Sequence, residues 1–314
     1  MSERIAVDLD YDSAIEIPLD DSLNLSLRSS LLHFAQENGR TYHRLSEGKY
    51  AFPNDDIEND RLDLQDGIYI ITLDGKRALN PGADTAKRVL DMGTGTGIWA
   101  LEFAEEHPAA ENSVPPNCSF EIDDLEKEWT WTTPFDFIFS RMMTGSFSDP
   151  EAIAKKAFDG LSPGGWYEIQ DIQLPVFCDD GTLDPETSPL MKWQECLIEG
   201  SRKLGRPLGE SDKYKAIVEK AGFRDVVETI YRWPTNSWPQ DPKLEELGKW
   251  NLINFESGLE GVSLALFTRV LGWSKDEVLS LCADVRSELR NLNVHGYWKI
   301  YVVYGQKPEK EAAW

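Results

Sequence analysis

The sequence holds no run of eighteen consecutive apolar residues, so nothing in it predicts a membrane-spanning helix. Cysteine is sparse: Cys118, Cys178, Cys196 and Cys282 are scattered, with no CxxC pair. That spacing argues against a metal knuckle or a disulfide framework and fits plain core thiols in a reducing compartment. Positive charge is short as well, with 32 Lys and Arg against 55 Asp and Glu and a formal charge of −23. Such a surface repels phosphate backbones, which disfavours nucleic acid as a direct partner. It would steer a cationic partner such as a basic protein tail, or serve solubility alone. The opening Met1-Ser2-Glu3-Arg4 turns acidic rather than basic and apolar, so no signal peptide is expected, and a cytoplasmic or nuclear location is. There is no internal repeat and no low-complexity tract.

What is present is a chain of 314 residues, 41% hydrophobic, long enough for a real core. Residues 1 to about 60 are acidic and polar, with an amphipathic patch at Ser29–Gln36. Pro53-Asn54-Asp55-Asp56 reads as a turn into a helix over 57–66. From about Lys87 short apolar runs alternate with glycine turns and helical patterns, the texture of a parallel α/β sheet. Strands are predicted at 88–91, 119–122, 135–139, 166–170, 226–233 and 297–304. Helices are predicted at 98–106, 150–158, 188–204 and 211–221, with further helices across 241–293, and Leu161–Gly165 reads as a tight turn.

The central motif is Asp91-Met92-Gly93-Thr94-Gly95-Thr96-Gly97, after a strand and opening a helix. Glycines there permit positive φ and close approach of a ligand to the backbone, beside a helix N-terminus with unpaired N–H groups. The spacing is GxGxG, not the GxGxxG that seats a dinucleotide pyrophosphate. The leading carboxylate of Asp91 would repel pyrophosphate and suits the ammonium of a methionine moiety. Asp123, Asp124 and Leu125 follow the predicted strand at the mouth of the sheet, where an acid can accept from an adenine amino group. Leu161-Ser162-Pro163-Gly164-Gly165 then precedes the next strand. These signals, in this order, predict a class I S-adenosylmethionine (SAM) methyltransferase fold, an α/β Rossmann-like sheet. The expected division is 1–80 for an N-terminal extension, 81–180 for the SAM-binding core, and 181–314 for a largely helical part with the last strands.

Ser140-Arg141 ends the middle strand, and Arg141 could hold the methionine carboxylate, bind the acceptor, or form a structural salt bridge. A general base is needed only for a protonated acceptor, and His33, His43 and His295 are the candidates. His107, ending the first helix after the loop, reads as a cap. Trp193, Trp233, Trp238, Trp250 and Trp273 lie in the segments that would cover the crevice, as an aromatic acceptor pocket or simply as core.

Taken together, Tyr42-His43, Gly48-Lys49-Tyr50, Pro53-Asn54-Asp55, Glu58 through Asp63, Leu90 through Ala100, Gly164-Gly165-Trp166, Asp179-Asp180-Gly181 and Tyr304 through Pro308 resemble the fungal LaeA-like methyltransferases. The resemblance covers nearly the whole chain from about Ser29, and it implies that the SAM-binding core carries an N-terminal lid within 1–80 and helical cover insertions within 181–314. It implies that Asp91, Gly93, Thr94, Gly95 and Gly97 line the SAM loop, that Asp123, Asp124 and Leu125 meet the adenine, and that Tyr42 or Tyr50 belongs to the lid. It implies SAM as cofactor, S-adenosylhomocysteine (SAH) as product, and a small-molecule or protein acceptor within secondary metabolism. The alternative it leaves open is a regulatory subunit working mainly through a velvet-type or sister-methyltransferase partner. One departure stands out. The stretch from His107 to Asn117 is too short to hold a second strand and its return connection, so the family's ribose-binding acid is expected to be missing near Glu111-Asn112, with a sheet edge left open.

Overall fold

The computed structural model describes residues 35–42, 52–107 and 117–309. A short hairpin, β1 (Ala35–Glu37) and β2 (Arg40–Tyr42), precedes helix α1 (Asp56–Thr72). The chain then builds a sheet from β3 (Val89–Met92), β4 (Phe135–Arg141), β5 (Leu161–Phe177), β6 (Arg224–Pro234) and β7 (Tyr297–Gln306). The spatial order is β3-β4-β5-β7-β6; the first three strands run parallel, and β7 is antiparallel to both of its neighbours. Around the sheet lie α2 (Ile98–Glu106), α3 (Pro150–Gly160), α4 (Pro189–Lys203), α5 (Tyr214–Ala221), α6 (Pro242–Leu266) and α7 (Lys275–Leu289).

Local sequence explains where several helices start. Asp149-Pro150, Ser188-Pro189 and Asp241-Pro242 each place a capping side chain before a proline at the first helical position. The caps accept from Ala152 N at 3.0 Å, Met191 N at 3.1 Å and Leu244 N at 3.0 Å. Each satisfies an orphan N–H and is worth about 1 kcal/mol, while proline costs nothing where no donor is needed. On one face of the sheet, Trp233, Trp298 and Ile300 pack with Tyr69 of α1, Trp193 of α4, Leu259 of α6 and Val285 of α7. On the other, Ile138, Tyr167 and Val303 pack with Ile153 of α3 and Val218 of α5. Trp99 and Phe103 of α2 close a third cluster, with Trp99 stacked on Phe139 at 3.8 Å between ring centroids. Glu168, fully buried on β5, ties the segment after α1 to the sheet by accepting from Leu79 N, Asn80 N and Asn80 Nδ2.

Four expectations need correction. Ser119–Ile122 is not a strand: Ser119 is open to solvent and Phe120 and Ile122 are 50% and 68% exposed, so no buried face sets a register against β3. Leu161–Gly165 is no separate turn but the start of β5, where Leu161 pairs with Phe135 and a bulge absorbs the shift before Trp166 pairs with Phe137. The helix predicted over 57–66 runs on to Thr72, because Ile68 and Tyr69 have a core to bury in. Of the patch at 29–36, Ala35 and Gln36 are strand, held by pairing with Tyr42 and Thr41, and the rest lies outside the described residues. The Glu111-Asn112 junction also lies outside them. Among the described residues no strand pairs with the free side of β3, so the edge there is open.

Candidate functional site

The loop after β3 is held by three glycines in the left-handed region, Gly93, Gly95 and Gly97, with φ of 73°, 59° and 86°. Space as well as backbone requires them. A Cβ on Gly93 would lie 2.2 Å from the Met143 sulfur, and one on Gly97 would lie 2.8 Å from the Phe120 ring. Gly97 caps α2 with no side chain, which leaves the first N–H groups of that helix free for a ligand.

The polar groups around this loop are buried and incompletely paired. Asp91 Oδ2, Thr94 Oγ1 and Arg141 Nη1 have no hydrogen-bond partner. Burial, the largest influence, pushes the Asp91 carboxyl up to about 6 against the pull of nearby Arg141. Arg141 is clamped from α1, where Asp66 accepts from its Nη2 at 2.5 Å and the Tyr69 ring lies 4.8 Å below its guanidinium. Asp66 also accepts from Arg77 Nη1 at 3.2 Å. A salt bridge and a ligand contact are therefore compatible in Arg141: one arm is spent on Asp66 and another is spare. An unpaired buried acceptor beside an unpaired buried donor is costly in isolation and fits a zwitterion carrying an ammonium and a carboxylate. SAM carries such a group.

A cavity of about 490 Å³ adjoins these atoms. It runs along the open side of β3 and is lined by Asp91, Gly93, Thr94, Asp123 and Leu125, with Trp99 and Phe103 beneath and Phe120 and Ile122 opposite. That volume is within the range for a cofactor-sized ligand. Ser140 instead lines a smaller cavity behind Met143 and Thr144. Asp124 turns its carboxylate back onto Glu126 N at 3.1 Å.

A second cavity, of about 140 Å³, lies under α1. Its floor is Ile172 and Leu174 of β5, its walls come from α4 and α6, and Met142 and Thr144 form the side nearest the glycine loop. Leu62 of α1 lines it and also approaches Gly95, so the helix over this cavity reaches the glycine loop as well. Of the tryptophans named from sequence only Trp193 lines it. Trp233 is core and donates to Thr72 Oγ1, Trp238 donates to Gly296 O, Trp250 is 41% exposed, and Trp273 packs on Phe267.

Of the candidate bases only His295 falls within the described residues. His33, His43 and Tyr50 lie outside the described residues. His295 stacks on Trp238, with Nδ1 2.5 Å from Asp180, and lines neither cavity. Tyr42 is buried with Arg269 over its ring, away from the glycine loop. His107 is a cap, its Nδ1 2.8 Å from Phe103 O. Sequence reading missed Gln65, Asp66 and Tyr69, whose one-helix-face spacing was the available signal. It also missed Asp171. That carboxylate is fully buried on β5, bonded by Ile172 N at 2.9 Å and the Tyr214 hydroxyl at 3.0 Å, and held by the backbone N–H groups of Met143 and Thr144. Burial pushes it up to about 7.

Comparison with known proteins decides the family. A profile described as "Methyltransferase domain" matches residues 69–228. Methyltransferase pytC of Aspergillus terreus is 38% identical over 97% of this chain and 96% of its own. The chain belongs to the methyltransferase-domain family. Also similar to this methyltransferase are tdiE of Emericella nidulans, 42% identical over 81% of this chain and 83% of its own, and protein-methionine methyltransferase laeA of the same organism, 32% identical over 88% and 77%. Among solved structures, a Haemonchus contortus phosphoethanolamine N-methyltransferase with SAH bound aligns with a TM-score of 0.43 at 12% identity, over 91% of this chain and 73% of that one. The LaeA-like methyltransferase expectation from sequence holds, and the sheet with helices around it agrees with the Rossmann-like fold expected.

Proposed function

We propose that this methyltransferase acts on a small molecule of secondary metabolism and binds SAM across the glycine loop and the cavity beside β3. The observation that carries the reading is the pair of buried atoms without a hydrogen-bond partner, Asp91 Oδ2 and Thr94 Oγ1, lining a cofactor-sized cavity, with the unpartnered Arg141 Nη1 on the guanidinium that acts on Asp91. Asp91 would hold the ammonium, Arg141 the carboxylate, and the glycine loop the methionine backbone, with Asp123 and Leu125 toward the adenine. SAM supplies an electrophilic sulfonium methyl. The protein's part is to hold that methyl toward the cavity under α1, which Met142 and Thr144 line, because positioning provides much of the rate in such a displacement. A largely apolar pocket of about 140 Å³ favours a small molecule over an extended protein segment as acceptor.

The test is calorimetry with SAM and SAH on the intact chain and on Asp91→Ala. Micromolar binding that the substitution weakens at least tenfold is expected; no binding by folded wild-type protein would remove the reading. A second reading, a regulatory subunit acting through a protein partner, draws on the open β3 edge and on the relatives named as secondary metabolism regulators. Gel filtration and pull-down that recover only monomer would count against it. Among the described residues no helix is long and apolar enough to cross a membrane.

A further inference from the structure

The cavity under α1 has a charge character as well as a size, and the two together narrow its ligand. Its 140 Å³ is close to the roughly 150 Å³ that accommodates one benzene ring in an apolar protein interior. The walls are Trp193, Phe255, Leu259 and Val262, and Trp193 has already committed its N–H to Ser263 Oγ at 2.7 Å.

Two charged residues line the cavity, and they neutralise each other. Arg61 donates from Nε to Glu58 Oε2 at 3.0 Å and from Nη2 to Glu58 Oε1 at 2.6 Å, and its Nη1 reaches Asn254 Oδ1 at 2.9 Å. Each carboxylate oxygen and each guanidinium nitrogen already makes a hydrogen bond, and the pair is neutral overall. A ligand ammonium or carboxylate would have to compete with this bidentate pair for its counter-charge in a largely apolar site, which is unfavourable. What stays available is neutral. Gln65 is 6% exposed and its side-chain amide makes no hydrogen bond among the described residues, and Asn254 keeps an unpaired NH2 because Arg61 holds its oxygen. Those amides can donate to, and accept from, a neutral hydroxyl or carbonyl.

We infer that the cavity is the acceptor site for an uncharged, single-ring aromatic group bearing a hydrogen-bonding oxygen, selected against both cationic and anionic analogues of the same size. This rests on the methyl-transfer reading above for the acceptor role, though not for the binding preference. A ring belonging to a larger molecule would enter ring first, with the remainder outside.

The test uses p-cresol, benzylamine (cationic at neutral pH), benzoate and toluene, titrated into the full chain with and without saturating SAH, whose own binding is measured first. p-Cresol is expected to bind at least tenfold more tightly than benzylamine or benzoate. Val262→Trp, which fills the cavity, should weaken p-cresol at least tenfold while SAH binding stays. Gln65→Leu should erase the advantage of p-cresol over toluene without altering toluene. An ion that binds as well as p-cresol, or p-cresol binding unchanged in Val262→Trp, would overturn the inference while SAH binding keeps the methyl-transfer reading standing. SAH failing to bind a protein that still binds p-cresol would overturn the acceptor role through the reading beneath it.

Discussion

Arg141 at the end of β4 and Asp66 on α1 meet at 2.5 Å, and through that contact the helix over the 140 Å³ cavity is fastened to the residue proposed to hold the cofactor's carboxylate. Asp66 shares its other oxygen with Arg77, so one buried carboxylate orders two guanidiniums. Separate outcomes are expected for the two partners. Arg141→Gln removes a charge-assisted contact to a ligand carboxylate and should weaken SAH by about ten- to a hundredfold with little loss of melting temperature. Asp66→Asn takes the paired carboxylate from the buried Arg141, while Arg77 keeps Glu102 and Glu106, and should destabilise the fold by about 3 kcal/mol. Calorimetry and thermal denaturation on both variants check the split; equal effects on affinity and stability would refute it.

Asp91 makes cofactor binding pH-dependent. Its carboxyl is pushed up to about 6, above the usual carboxylate range, because it is buried. The ionised form pairs with an ammonium, so affinity for SAH should be constant above that value and fall about tenfold per pH unit below it. In Asp91→Asn the slope should vanish. A wild-type affinity that is flat from pH 7 to 5 would show that Asp91 does not face the ligand's positive charge.

Asp171 is a positioning residue. It lines neither cavity but holds the backbone of Thr144, which lines the cavity under α1, and of Met143, whose sulfur packs against Gly93 of the glycine loop. Asp171→Asn should lower kcat for any acceptor found about tenfold while KM for SAM moves little. The same substitution has a stability signature. A carboxyl raised to about 7 binds more protons folded than unfolded, so its stabilising effect is complete at pH 4 and is lost as pH rises toward 7. Wild-type melting temperature should decline across that window, and the Asn variant should decline less.

His295→Ala is expected to change turnover less than twofold. The ring is paired with Asp180 and stacked on Trp238, and it lines neither cavity. A tenfold loss of kcat would return it to the catalytic candidates.

Much of this protein is determined by local sequence. The glycine loop has one workable conformation, because three left-handed residues in five and the close packing of Met143 and Phe120 admit no side chain. The Asp-Pro and Ser-Pro starts fix where helices begin, and the burial pattern of β4 and β7 places them in the sheet. These are short-range effects of sterics, capping and periodicity, and they can be read from neighbouring residues. Tertiary structure alone decided the rest. Whether 119–122 becomes a strand depends on a partner and a buried face that the chain does not provide there. Whether Arg141 is a salt bridge or a ligand contact depends on Asp66, 75 residues away, which takes one arm and leaves another. Asp171 looks like any strand acid until burial raises its proton affinity and the loop after β4 folds onto it. Gln65, Trp193 and Asn254 come from three helices distant in sequence, and only their packing makes a cavity whose charges cancel.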